Sequence, residues 1–159
     1  DDKAEVEAYV TARRIADAPF PVERVRLDAE RLPFADRRFD CVASTWTLCS
    51  IPDPVAALGE IRRVLKREGT FLFLEHGRSD DPRVARRQDW LNPIQLRIGC
   101  GCNLNRPIDA LVRQAGLVLV GLDRYVLGGP RIAAEMYRGM AVPPDGPPPT
   151  VSTGTAPRA

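Results

Sequence analysis

The sequence predicts an α/β protein with a largely parallel sheet, and three observations support this fold class. Apolar stretches of strand length alternate with stretches whose apolar residues recur at helical spacing, which is typical of layered α/β folds. The stretch 39–46 is rich in apolar and small residues, and the stretch 70–76 is an almost unbroken apolar run, as in buried parallel strands. Polar residues follow these stretches, at the strand ends where parallel sheets bind their ligands.

The elements are predicted in the order helix, strand, strand, helix, strand, helix, helix, strand, strand. The central helix has the clearest signals, because Asp53 is a favourable N-cap, Pro54 suits the first helical position and Gly69 is suited to end the helix. We expect the helix after it to be broken near Asn92-Pro93. The predicted strands are 22–28, 39–46, 70–76, 117–127 and 131–141, and the other predicted helices are 3–17, 81–98 and 105–116.

Length and composition indicate one soluble domain with a tail. The 159 residues fit a single domain, which we place at 1–141. Residues 142–159 are rich in Pro, Gly, Ser and Thr without apolar periodicity, which predicts disorder. The net charge of +2 is too balanced to indicate nucleic-acid binding. No apolar run reaches the roughly 18–20 residues that span a bilayer, and the acidic N-terminus has no secretory signal, so we expect a cytoplasmic protein.

The cysteines predict neither a disulfide framework nor a metal site. Four cysteines in a chain of this length are few for a disulfide scaffold. Cys100 and Cys102 form a C-x-C pair without a second pair nearby, and His76 is the only histidine, whereas a zinc site needs about four ligands at suitable spacing. We expect Cys49 to be buried in the core. No metal ligand is therefore predicted.

Polar residues at successive strand ends form the candidate site. Asp28 and Ala29 pair an acceptor carboxylate with a backbone N–H beside it, which fits the edge of an adenine ring. Ser44 and Thr45 can hydrogen-bond a polar amino-acid group at the next strand end. The same residues have a simpler interpretation, in which Asp28 is a solvated turn acid and the Ser-Thr pair merely ends a strand.

Three motifs resemble the S-adenosylmethionine-dependent class I methyltransferases. They are "DAERLPF" after the third strand of the family fold, "FDCVASTWTLCSIPD" around the fourth, and "ALGEIRRVLKREGTFLFLEH" for the helix and fifth strand. The chain is most similar to the branch of ubiquinone/menaquinone C-methyltransferases and thiol or phospholipid methyltransferase-like proteins. The later "GCGCNLNR" also resembles the thiol branch. The resemblance covers about 1–141 and implies a Rossmann-like methyltransferase sheet with helices on both faces.

The resemblance implies a cofactor and its binding residues. S-adenosyl-L-methionine would place its adenine amino group by Asp28 and its ring by the backbone N–H of Ala29. Thr45, with Ser44 beside it, would lie near the methionine part, and Asp2 would bind the ribose hydroxyls. In the thiol branch, Cys100, Cys102 and Asn103 would sit near the acceptor side.

His76 is the candidate catalytic residue, as a base or as a contact to the acceptor. Methyl transfer often needs only in-line positioning of the reactants, so a strong base is not required. The acceptor would be a small, apolar molecule such as a thiol, a quinone or a lipid amine, and a lipid-like acceptor is compatible with peripheral membrane contact. Glu75 is expected to support the cofactor or the structure. The sequence leaves the oligomeric state open.

One departure from the family leaves a second function open. The family begins with a strand and a G-x-G-x-G loop, whereas this chain has no glycine before Gly59. We therefore expect a C-terminal portion that lacks the first strand and this loop. The alternative is a non-catalytic, truncated methyltransferase-like module that binds a partner through an exposed sheet edge. A nicotinamide-dependent oxidoreductase is disfavoured, since G-x-G-x-x-G is absent.

Overall fold

A computed structural model describes residues 17–99 and 101–147. The strands are β1 (Phe39–Thr45), β2 (Leu65–His76), β3 (Val118–Val126) and β4 (Glu135–Val142). The helices are α1 (Pro54–Val64), α2 (Pro82–Ile98) and α3 (Ile108–Gln114), with a 3₁₀ turn at Arg131–Ala133. This alternation of strands and helices confirms the predicted α/β class. The predicted helix at 3–17 lies almost wholly outside the described residues.

The four strands form one mixed sheet in the order β1-β2-β4-β3. Strand β1 runs parallel to β2, whereas β4 is antiparallel to both β2 and β3. The expectation of a largely parallel sheet is therefore wrong for the described residues. The reason is the short connection between β3 and β4, because a short link between neighbouring strands can only join antiparallel partners.

Helix α1 begins where predicted and ends earlier than predicted. The Asp53 carboxylate accepts hydrogen bonds from the backbone N–H groups of Val55 and Ala56, at 3.1 and 3.0 Å. The helix does not continue to Gly69, because Leu65 adopts extended backbone angles and starts β2 directly. Gly69 lies inside that strand, where a Cβ atom would approach the Lys66 carbonyl oxygen to 2.9 Å.

The hydrophobic core lies between the sheet and two helices. Strand β2 alternates, with Phe71 and Phe73 buried and Leu72 42% exposed on the opposite face. Helices α1 and α3 cover the buried side. The core cluster contains Leu48, Leu58, Ile61, Leu65, Phe71, Phe73, Ile108, Val112, Ala115, Leu117, Tyr137 and Ala141.

Helix α2 is continuous through Pro93, so the predicted break near Asn92-Pro93 does not occur. The Asn92 side chain accepts a hydrogen bond from the Leu104 N–H at 2.8 Å and donates one to the Asn103 side chain at 3.2 Å. These contacts fasten the helix to the loop that follows it. They offset part of the backbone hydrogen bond that proline removes.

Residues 22–28 do not form the predicted strand. Val22, Val25 and Leu27 are 41%, 47% and 40% exposed, and Asp28 forms only an isolated bridge with Arg31. A strand needs a hydrogen-bonding neighbour, and none of the described strands pairs with this segment. The outer edge of β1 likewise has no strand partner within 17–99 and 101–147.

Strand β4 ends at Val142, one residue beyond the strand predicted at 131–141, and it begins only at Glu135 because residues 131–133 form the 3₁₀ turn. Asp145 forms ion pairs with Arg37 at 3.5 Å and with Arg67 at 3.4 Å. The rest of the predicted tail, from residue 148, lies outside the described residues. Among the helices that the structure describes, none combines the length and the apolarity required to cross a membrane.

Candidate functional site at the strand ends

The parallel pair β1 and β2 brings its polar carboxyl ends together, as the sequence predicts. Thr45 lies opposite Leu74, so Ser44 and Thr45 are neighbours of Glu75 and His76 across the two strands. The backbone N–H of Trp46 extends the ladder by donating to the Leu74 carbonyl at 3.0 Å. Two of the three predicted polar segments are therefore at strand ends, while the Asp28 segment is a turn.

Glu75 is fully buried and organises the end of β1. Its carboxylate accepts a hydrogen bond from the Ser44 hydroxyl at 2.7 Å, from the Thr47 N–H at 2.9 Å and from the Leu48 N–H at 3.0 Å. Burial raises the pKa of Glu75 above its usual value, although these three donors act in the opposite direction. The side chain thus fixes the turn after β1, which is a structure-supporting role.

Ser44 and Thr45 face opposite sides of the sheet. Ser44 is buried on the side of α1, and its hydroxyl is occupied by Glu75. Thr45 is exposed and lines a cavity of about 270 Å³ with Leu72 and Leu74. Thr45 is therefore the one of the pair whose side chain is open to a ligand.

Ala29 and Ser44 line a second cavity of about 170 Å³ beside α1. Both cavities are smaller than the roughly 300–1,000 Å³ typical of ligand sites. Each cavity has room for part of a larger ligand. The small side chains of Ala29 and Ser44 would let such a ligand approach the backbone closely.

The turn at 28–31 is exposed and held by side chains rather than by a strand. Asp28 is exposed, and its carboxylate accepts a hydrogen bond from the Glu30 N–H at 2.9 Å. Glu30 in turn accepts one from the Asp53 N–H at 2.8 Å, which ties the turn to the start of α1. The second oxygen of Asp28 leaves acceptor capacity for an amino group. Asp2 lies outside the described residues.

His76 is buried at the end of β2, between an aromatic ring and a thiol. Its Nδ1 atom lies 3.4 Å from the Cys102 Sγ atom, and its ring stacks on Trp46 with centroids 6.1 Å apart. Its Nε2 atom is buried without a hydrogen-bond partner among the described residues. Trp46 is 53% exposed and has a positive φ of 54°, a conformation that costs energy for an aromatic residue.

The Sγ atoms of Cys49 and Cys102 lie within 4.8 Å of each other, beside a ring nitrogen of His76. The contact from Cys102 is the largest cause that lowers the pKa of the Cys49 thiol, to about 4. The same contact, together with burial, raises the pKa of the Cys102 thiol far above its usual value.

The loop after α2 packs against the turn that follows β1. The sequence predicted that Cys102 and Asn103 of this loop lie near the site, but it did not predict these contacts. The N–H and the side-chain amide of Asn103 both donate to the Cys49 carbonyl, at 2.8 and 3.0 Å. Arg106 donates to the carbonyls of Leu48 and Ile51, at 2.5 and 2.6 Å. Cys49 and Arg106 were missed as site residues, because their partners are more than 50 positions away in the chain. Cys100 lies outside the described residues.

Comparison with known families and proteins agrees with the motifs of the sequence. Residues 2–73 match a family described as "Methyltransferase domain". The ubiquinone/menaquinone biosynthesis C-methyltransferase UbiE of Hahella chejuensis is 40% identical over 68 residues, which cover 43% of this chain and 27% of that protein. The thiol S-methyltransferase TMT1B of Rattus norvegicus is 39% identical over 75 residues, which cover 45% of this chain and 30% of that protein.

The fold is similar to that of solved methyltransferase-like structures. The crystal structure of a putative methyltransferase from Bacillus halodurans superposes with a TM-score of 0.62 at 19% identity, over 82% of this chain and 73% of that one. At this identity the similarity concerns the fold. The matched part of the chain spans less than a third of the length of the two relatives above.

Proposed function

On the premise that the chain belongs to the class I S-adenosylmethionine-dependent methyltransferases, we propose that it is part of an enzyme that methylates a small, apolar acceptor. The observation that carries the proposal is the match of residues 2–73 to a methyltransferase domain, because this segment contains β1 and most of β2. The polar ends of these two strands lie side by side, where α/β sheets bind ligands.

We assign the cofactor side to Asp28, Ala29, Ser44 and Thr45, together with Asp2. The free acceptor capacity of Asp28 suits the adenine amino group, and the Ala29 N–H suits a ring nitrogen. Thr45 is open to the methionine part, whereas Ser44 acts through its small size and its bond to Glu75. Asp2 is proposed for the ribose hydroxyls from the family motif alone.

When bound, S-adenosylmethionine would supply a methyl group on a sulfonium, so that a nucleophile of the acceptor bonds to the methyl carbon while the carbon–sulfur bond breaks and S-adenosylhomocysteine leaves. The contribution of this chain is then to hold the reactants in line and to exclude water. The buried ring of His76 and the exposed ring of Trp46 are proposed for the acceptor side. The acceptor classes are a thiol, a quinone or a lipid amine, of which the first two appear in the names of relatives.

A second candidate function is a non-catalytic binding module. Among the described residues, the outer edge of β1 has no strand partner, and such edges pair with other chains. This module would keep the fold and its sheet edge without methyl transfer.

The test is a methyl-transfer assay with isotopically labelled S-adenosylmethionine and a panel of small thiols, quinones and lipid amines. We expect labelled product from at least one class, and a loss of about tenfold or more in Asp28→Asn. Glu23→Gln, which changes another exposed acid of the same segment, is the matched control and should leave the rate unchanged. A folded chain that binds S-adenosylhomocysteine but methylates nothing in the panel would favour the second candidate function, the non-catalytic binding module.

A further inference from the structure

We propose that Cys49, His76 and Cys102 form a binding site for a soft transition-metal ion, with Zn²⁺ as the best fit. The two Sγ atoms and a ring nitrogen of His76 all lie within 4.8 Å of one another. The three residues come from the turn after β1, the end of β2 and the loop between α2 and α3. Their separation along the chain explains why spacing predicted no metal ligand.

The observed distances suit tetrahedral coordination. Zinc binds sulfur at about 2.3 Å and imidazole nitrogen at about 2.0–2.1 Å, so neighbouring ligand atoms lie about 3.5–3.8 Å apart. The His76 Nδ1 atom is 3.4 Å from the Cys102 Sγ atom. The Cys49 Sγ atom lies within 4.8 Å of the other two ligand atoms, so these two distances would have to shorten by about 1 Å on coordination. Cys49 and Cys102 lie in a turn and a loop, which can make this adjustment without disturbing the sheet.

Hydrogen bonds outside the ligand set hold the three segments together. The Asn103 N–H and side chain both donate to the Cys49 carbonyl, which fixes the Cys102 loop against the turn after β1. The Arg106 guanidinium binds the Leu48 carbonyl in the same turn. The ligand atoms are thus brought together before any ion binds, which lowers the ordering cost of binding.

The donor set selects the class of ion. Thiolate and imidazole ligands favour zinc or copper(I) over magnesium or calcium, which prefer oxygen. Two thiolates and a neutral imidazole carry a total charge of −2, which neutralises the charge of a divalent cation. This limits the cost of burying the ion, because Cys49 and His76 are only 2% and 3% exposed. Three ligands leave one tetrahedral position that the described residues do not fill.

The site gives His76 a role that differs from that of a free base. Coordination through Nδ1 uses the lone pair that would otherwise accept a proton, so His76 would position the metal and the adjoining loop. This assignment does not depend on methyl transfer. Failure of the methylation assay would leave it standing, and failure of metal binding would leave the cofactor proposal standing.

The test uses the 159-residue chain, purified under reducing conditions and shown by circular dichroism to be folded. Elemental analysis after Zn²⁺ loading and desalting gives the stoichiometry, and Co²⁺ titration followed by visible absorption reports tetrahedral thiolate ligands. We expect one retained zinc per chain and the intense absorption of cobalt–thiolate coordination. Cys49→Ser combined with Cys102→Ser should abolish both, and His76→Gln should weaken binding by at least about tenfold.

Cys41→Ser is the matched control, because Cys41 is an exposed cysteine on β1 and should leave zinc binding unchanged. The proposal is overturned if the folded wild-type chain retains no zinc. It is equally overturned if the double cysteine variant retains as much zinc as the wild type. The wild-type result stands by itself, so a variant that fails to fold does not remove the test.

Discussion

Asp28 and Glu75 are both acids that follow apolar stretches, but the molecule treats them in opposite ways. Asp28 is exposed in a turn, with one carboxylate contact to its own backbone neighbourhood. Glu75 is fully buried and receives hydrogen bonds from three donors in another segment. The comparison teaches that an acid after an apolar stretch serves the fold when it is buried and all its hydrogen bonds are made, and keeps acceptor capacity for a ligand when it is exposed.

The largest effect is expected from Glu75→Ala. The change leaves the Thr47 and Leu48 N–H groups and the Ser44 hydroxyl without their acceptor, at about 1–3 kcal/mol for each buried group left unsatisfied. We expect the free energy of unfolding to fall by about 3 kcal/mol or more, measured by urea denaturation. A loss below about 1 kcal/mol would show that the turn after β1 does not depend on this carboxylate.

Ser44 and Thr45 are neighbours, but Ser44 is expected to support the fold and Thr45 to contact the ligand. Ser44→Ala removes a buried hydrogen bond to Glu75 and should cost about 1–2 kcal/mol of stability. Thr45→Ala changes an exposed side chain and should cost no more than about 0.5 kcal/mol, while weakening the binding of S-adenosylhomocysteine. Thermal unfolding and calorimetric titration of both variants measure this difference. The reverse pattern would contradict the assignment of Thr45 to the ligand.

The pH dependence of stability gives a finer test of Glu75. Burial raises its pKa in the folded state above the reference value of 4.5, so the folded state holds its proton more tightly than the unfolded state. The contribution of Glu75 to stability is therefore full below pH 4.5 and falls as the pH rises through the raised pKa. Denaturation curves of the wild type and Glu75→Gln should show this decline in the wild type only. Parallel pH profiles would contradict it.

The smallest effect on stability is expected from Asp28→Asn. The residue is exposed and the one described hydrogen bond of its side chain is local, so the free energy of unfolding should change by less than about 0.5 kcal/mol. Urea denaturation beside the Glu23→Gln control measures it. A loss of more than about 1 kcal/mol would mean that Asp28 serves the fold, as Glu75 does.

The sequence predicted well what local signals determine. Asp53 and Pro54 mark the start of α1, the apolar and small residues of 39–46 mark β1, and the apolar run 70–76 marks the second half of β2. The end of α1 was misplaced because Leu65 already enters β2, where pairing with β1 outweighs the preference for Gly69 as a helix end. Long-range pairing of this kind leaves no local signal.

The sequence predicted where the candidate site lies better than it predicted which residues form it. The polar strand ends follow from the parallel pairing of β1 and β2, and Glu75 was expected to support the cofactor or the structure. The grouping of Cys49, His76 and Cys102 was not predictable, because three separate segments have to fold before these atoms approach. The positive φ of Trp46 is likewise imposed by the turn that Glu75 organises, and no glycine or asparagine marks it in the sequence.

The central claim is that the strand ends of β1 and β2, with the turn at Asp28, bind the cofactor. Calorimetric titration of S-adenosylhomocysteine into the folded 159-residue chain tests it most directly. The account predicts saturable binding at micromolar strength that is weakened by Asp28→Asn and Thr45→Ala and unaffected by Glu23→Gln. The absence of binding heat at several temperatures, from a chain that circular dichroism shows to be folded, would contradict the claim.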